Sequence, residues 1–165
     1  MEILEYAIKW CKAEVFSGKV FLIYGIMILI AAICLRVIDN TPMFKSIFIP
    51  LIVVSALHIA TGGFMIKEYT SRQKAYTISA NANIEEFKKT EHTNIDTFIK
   101  SYYPAIRIVN IVAIVIALLL IYVLATPIGK SIGIGIIITV LSLLVMDYFS
   151  EERSHNYRNF LENKM

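Results

Sequence analysis

Four apolar runs, approximately Val20–Ile38, Phe44–Ile66, Ala105–Ala125 and Ile132–Phe149, occupy about half of a 165-residue chain. Each is close to the ~20 residues that cross ~30 Å of hydrocarbon at ~1.5 Å per residue. No water reaches backbone groups inside a bilayer, so runs of this kind must pair their own N–H and C=O groups as helices. A soluble domain has no use for four of them. The hydrophobic content of 57% and mean hydropathy of +0.65 agree, lying above the roughly 45–50% apolar usage of soluble domains. The expected fold class is all-α: a polytopic membrane protein with four transmembrane helices.

The connections suggest how the four are ordered. Thr41-Pro42-Met43-Phe44-Lys45-Ser46-Ile47-Phe48-Ile49 and Thr126-Pro127-Ile128-Gly129-Lys130-Ser131-Ile132-Gly133-Ile134 read almost alike, and each stands between two apolar runs. The chain therefore reads as one transmembrane hairpin used twice, a parallel internal repeat whose tandem copies relate by an axis along the membrane normal. In both copies the threonine suits an N-cap and the proline the first helical position, which has no intrahelical donor to lose. Lys45 and Lys130 fall one turn further in, where they snorkel outward. With the helix N-termini they are also candidates for holding an anion or a lipid phosphate.

Charge sets the expected orientation. If both termini lie inside, thirteen of the sixteen lysines and arginines face the cytoplasm and Arg36, Lys45 and Lys130 face out. This asymmetry obeys the positive-inside rule and places the N- and C-termini in the cytoplasm, in a cytoplasmic or inner membrane. Acidic residues are interleaved with the basic ones, which argues for anionic inner-leaflet lipids as partner and against nucleic acid. Residues 1–18 are expected to form an amphipathic helix flat on the inner leaflet, with Leu4, Ile8, Cys11 and Val15 on its apolar side. Transmembrane hairpin 1 follows over 19–67. A cytoplasmic linker, 68–103, carries a second amphipathic helix that starts at a capping box, Asn83 to Glu86, and ends at Pro104. Hairpin 2 covers 104–150, and 151–165 form a cytoplasmic tail. The first 19 residues mix glutamates with lysines, unlike a cleavable signal. Cys11 and Cys34 fall on segments at different depths, so neither a disulfide nor a thiol metal site is expected.

Ionisable groups inside a membrane are the first place to look for function. His58 falls near the middle of the second run, and Ser55, Thr61 and Gly62 share its helix face. Two readings are open there: an interhelical hydrogen bond, or a proton relay or transport path. Arg107, one turn into the third run, and Asp147, near the inner end of the fourth, are expected at similar depth and so to pair. Asn110 and Tyr24 are placed to extend that network. The fourth run carries Gly129, Gly133, Gly135 and Thr139 at close-packing intervals, a face for another helix of this chain or of a second copy. Pro50 is expected to kink the second helix by freeing the Ser46 carbonyl.

No zinc, haem, phosphate-loop or nucleophile-elbow signature is present, so no metal, cofactor or enzymatic activity is expected. His92 and His155 lie in charged segments. The functional expectation is a binding, accessory or regulatory membrane subunit, oligomeric with itself or a membrane partner. The alternatives are a small channel or carrier with a polar path around His58 and Arg107, and an immunity protein against a pore-forming toxin.

Overall fold

The computed structural model describes residues 2–38, 42–124 and 126–164 and is all-helical. Helix α1 spans Glu2–Ile38 and α2 spans Pro42–Ala82. Helix α3 (Ile84–Thr97), a π-helical turn (Phe98–Tyr102) and α4 (Tyr103–Tyr122) follow one another without a gap, and α5 spans Pro127–Glu162. The chain thus forms four long rods, each long and apolar enough to cross a membrane. At ~1.5 Å per residue the 37 residues of α1 reach about 55 Å, nearly twice the ~30 Å hydrocarbon thickness. Each rod therefore has one half for the bilayer and one half standing clear of it.

The two halves bury opposite things. In the apolar half, large side chains such as Ile23, Met27, Val112, Leu119 and Val145 face outward, the pattern of a surface whose solvent is lipid. In the projecting half the apolar residues turn inward. Ala7, Trp10, Cys11, Tyr76, Phe87, Ile95, Tyr157 and Leu161 form one core. There Trp10 stacks on Tyr157 at 5.7 Å and meets Tyr69 edge-on at 5.5 Å. Both termini belong to this half: the Lys164 ammonium lies 2.6 Å from the Glu2 carboxylate, and Lys88 Nζ donates to the Lys164 carbonyl.

This arrangement differs from the surface helices read from the sequence. Residues 2–17 are the first part of an unbroken helix, with no turn at which they would lie down on a leaflet. The reason is a single seam. Ala7, Cys11, Glu14, Gly18, Phe21, Gly25, Ile28 and Ala32 are all buried and recur at alternating intervals of four and three, the 3.5-residue repeat of coiled-coil packing. α2 answers with Leu51, Ser55, His58 and Gly62, buried at the same intervals. The small residues let backbones touch: a Cβ on Gly62 would stand 2.5 Å from the Gly18 carbonyl oxygen and 2.7 Å from Leu22 N.

The second amphipathic segment also runs on into its span. Pro104 has no N–H to give and its ring crowds the carbonyl four residues back. The chain widens there into the π turn, with the Tyr103 N–H reaching Phe98 O, and continues. Helix starts are as the sequence suggests: Thr126 Oγ1 accepts from Gly129 N at 3.0 Å, and Asn83 Oδ1 accepts from Glu86 N at 3.2 Å. Thr41 and the Asp39-Asn40 turn lie outside the described residues. The small-residue face of α5 meets helices of its own chain. Gly129 and Gly133 pack on the end of α4, and Gly135 faces Pro50 and Val54 of α2. Thr139 turns back to bond Gly135 O in its own helix, at 3.0 Å.

Burial in the projecting half has a titration consequence. It pushes the Cys11 thiol up from 9.0 to about 12 and raises the phenols of Tyr69, Tyr76 and Tyr157 above their ordinary value. A raised acid stabilises the fold fully below its unfolded value and less and less as pH climbs toward its folded value. The projecting half is expected to loosen from about pH 9 upward, as Cys11 and then the tyrosines ionise in the unfolded chain. Emission from Trp10, the single tryptophan, followed against pH checks this, and Cys11→Ser should delay the onset. At neutral pH a maleimide should leave Cys11 unmodified until denaturant opens the bundle.

Candidate functional site

Where the α1 seam passes from the apolar half into the projecting half it carries a carboxylate. The Glu14 side chain is 1% exposed. Its Oε1 accepts from Arg153 Nη2 at 2.8 Å, Arg153 Nε at 3.0 Å and Ser150 Oγ at 3.1 Å. Ser17 Oγ accepts from the same guanidinium at 3.0 Å. The Tyr103 hydroxyl meets Ser154 Oγ at 2.9 Å and Ser150 Oγ at 3.2 Å. Six polar groups from α1, α4 and α5 thus form a network at the junction of the two halves.

Beside it lies a cavity of ≈ 350 Å³ walled by α1, α2, the π turn, the start of α4 and α5. Its aromatic wall includes Trp10, Phe21, Phe64, Tyr69, Tyr102 and Tyr103. Its charged groups are Glu14, Glu68, Arg72 and Asp147. Arg72 lies 3.6 Å from Glu68 and 5.4 Å over the Tyr69 ring. Phe64 and Tyr102 are largely exposed, so the cavity opens outward between α2 and the π turn. π turns are frequent at functional sites because they displace side chains from helical register.

Asp147 and Arg107, expected as partners, are apart. Arg107 Nη2 binds Glu151 instead, at 2.8 and 3.2 Å, with the arginine side chain 60% exposed. Glu151 is one turn beyond Asp147 toward the polar end, and a long guanidinium reaches in that direction. Asp147 is left with Asn110 as its near neighbour. Contact between them falls short of a well-formed hydrogen bond: Asn110 Nδ2 and Asp147 Oδ2 are both buried without a partner. The two share a small second cavity of ≈ 170 Å³ with Arg107 and Glu151.

His58 sits deeper, on the α2 seam. Its Nδ1 is 2.7 Å from Val54 O and its Nε2 is 2.6 Å from Ser142 Oγ of α5. Ser142 Oγ is also 2.7 Å from Thr139 O. A carbonyl only accepts, so Nδ1 donates to Val54 O, and Ser142 Oγ bridges His58 Nε2 and Thr139 O. Ser55 Oγ donates to Gly25 O at 2.8 Å, tying α2 to α1. Tyr24 meets the imidazole ring edge-on at 5.3 Å and takes no part in the Asp147 group. Thr61 is exposed and lines the junction cavity, and Gly62 makes the α1 crossing. Lys45 and Lys130 are both exposed at the helix starts. The expected polar face therefore divides, with Ser55 and His58 inside the bundle and Thr61 at the cavity.

A reading of the sequence singles out none of Glu14, Arg153, Ser150 and Ser154, because Glu14 and Arg153 stand in charged segments and Ser150 and Ser154 are small hydroxyls at the inner end of the last apolar run. The available signal was register: Glu14 stands in the same 3.5-residue repeat as Cys11 and Gly18, so it must be buried if they are. Among the described residues, no three His, Cys, Asp or Glu side chains gather as a metal site would require. Comparison with protein-family models, with curated proteins and with solved structures finds no match. What the fold defines is a class, an all-helical membrane protein of four apolar spanning helices.

Proposed function

We propose that the protein is a non-enzymatic, membrane-anchored binding or accessory subunit that conducts nothing by itself. One observation carries this reading: the polar face inside the membrane half is closed. His58 is 2% exposed, Ser55 is 1% exposed, and their polar atoms bond within the chain. A conducting face keeps its polar groups open to water; these join α1, α2 and α5. The groups within reach of a ligand or partner lie instead at the junction cavity and over the projecting half.

In this reading the chain is two tandem hairpins in an inner membrane with both termini cytoplasmic, as the lysine and arginine distribution favours. Basic residues such as Lys67 and Lys74 meet anionic headgroups. The exposed apolar face of α4 is the natural contact for a second copy or a membrane partner. Purified protein in liposomes tests the proposal. Wild type should pass no ions or small solutes. His58→Leu should lower the stability of the detergent-solubilised bundle by about 1–2 kcal/mol, the value of an interhelical hydrogen bond and its unmet partner. Wild-type flux that His58→Leu alters would instead establish the channel reading.

A further inference from the structure

We infer that the end of α4 nearest the projecting half has two seats on α5, the second latched by a hydrogen bond from the Asn110 amide to the Asp147 carboxylate. In that second seat α4 draws against α5 and the mouth of the junction cavity widens. The inference goes beyond the accessory reading and does not depend on it.

The two helices meet along a seam with a seven-residue period. α4 buries Tyr103, Asn110 and Ala117. α5 answers at the same interval with Gly133, Val140 and Ser154, all buried, and with Asp147, half-buried. Such a repeat keeps one face of each helix toward its partner. At the end far from the projecting half the seam is closed: a Cβ on Gly133 would stand 2.7 Å from Ala117 O and 2.6 Å from the Ile121 side chain. At the near end it is fastened by the Tyr103 hydroxyl, 2.9 Å from Ser154 Oγ, and by Arg107 on Glu151 at 2.8 Å. Between these points it is not made. Asn110 lies beside Asp147, yet its donor Nδ2 and the acceptor Oδ2 are both buried and unpaired. Buried donors and acceptors are nearly always paired, and here the complement of each stands on the facing helix. With α4 fastened at Tyr103 and Arg107 the amide falls short of the carboxylate, so the two sets of bonds are alternatives.

Two further features give this end of α4 room to move. A cavity of ≈ 170 Å³ lies between α4 and α5 alone, with Ile106 and Asn110 on one wall and Leu144 and Asp147 on the other. Dense interiors keep few voids of that size, and these helices can close on it without displacing a third. Directly before α4 comes the π turn, whose wider bonding already accommodates Pro104 and its missing N–H. The clamp at Gly133 is thus the fixed end, and Tyr103 to Asn110 the end that shifts. Tyr103 and Asp147 line the junction cavity as well as the small one. Space lost from the small cavity is therefore gained by the junction cavity, whose rim carries Phe64 of α2 and Tyr102 of the π turn. Small helix shifts between two discrete packings are a recurrent basis of switching.

Fluorine NMR of the full chain in lipid nanodiscs tests the switch, with Cys34→Ser and a trifluoromethyl tag on Thr61→Cys. Thr61 is exposed and lines the junction cavity, and Cys11 is buried from the reagent. Wild type should give two signals, one for each seat. Asn110→Leu and Asp147→Leu remove the latch from opposite sides. Each should move the ratio of signals toward the first seat by about three- to fifteen-fold, the range for one interhelical hydrogen bond in a membrane. Tyr103→Phe, which releases the near fastening, should move the ratio the other way and keeps the test open if a leucine variant fails to assemble. A wild-type spectrum that all three variants reproduce, or opposite shifts in Asn110→Leu and Asp147→Leu, would overturn the proposal. Neither result bears on liposome flux, so the accessory reading stands or falls separately.

Discussion

Gly62→Ile should abolish assembly of the helical bundle, while Gly63→Ile, one residue away, should be tolerated. A Cβ at position 62 meets backbone, the Gly18 carbonyl oxygen at 2.5 Å and Leu22 N at 2.7 Å. Backbone cannot rotate aside as a side chain does, so α1 and α2 must separate. Even Gly62→Ala is expected to cost about 3 kcal/mol, the upper range of overpacking in a dense core. At Gly63 a Cβ finds nothing within 4 Å. An apolar side chain there faces lipid, and the effect should stay within about 0.5 kcal/mol. Size-exclusion profile and unfolding midpoint in detergent check the pair. Equal behaviour of the two variants would mean that α1 and α2 do not cross at Gly18 and Gly62.

That crossing also shows how much of the fold is legible in the chain. The four spans follow from hydropathy alone, because backbone desolvation leaves the chain no choice, and the helix starts at Asn83 and Pro127 follow from local hydrogen bonding. The continuity of each rod is harder to see. An amphipathic stripe looks the same whether it will lie on lipid or on another helix, and only its phase tells them apart. Ala7, Cys11 and Glu14 are in step with Gly18, Phe21 and Gly25, so one face persists through the junction. Helix α3 is likewise carried onward because the π turn absorbs Pro104. The site is less legible still. His58 finds a hydroxyl of α5, Ser142, whereas attention to ionisable groups looks for a carboxylate or a second imidazole. Depth along a helix is known from sequence only to about a turn, which is the distance between Asp147 and the actual partner of Arg107, Glu151. The register of α1 announces that Glu14 is buried, but only tertiary packing brings Arg153 to it, and no local pattern names that partner.

Arg153→Met should destabilise the projecting half by about 3–5 kcal/mol, because it leaves the Glu14 carboxylate buried without its counter-ion. With 1% of the side chain exposed and its three hydrogen-bond donors supplied by Arg153 and Ser150, the carboxylate has no water to fall back on. Replacing Glu14 by Leu alone should cost less, since Arg153 is 27% exposed and its guanidinium can turn outward. The two changes together should recover most of the loss, as apolar pairs of similar volume commonly match or exceed a buried ion pair in stability. Guanidinium unfolding followed at Trp10, one turn of α1 from Glu14, reads the cycle. A coupling energy near zero would mean that Glu14 and Arg153 do not meet and that the junction is held by the aromatic core alone. Strong coupling with full recovery in the double variant would separate stability from purpose. A charge pair that the fold can do without, kept beside a cavity with an unmatched carboxylate, is better explained by what it holds in place: Ser17 and Ser150 in the network, and the α5 turn that carries Asp147.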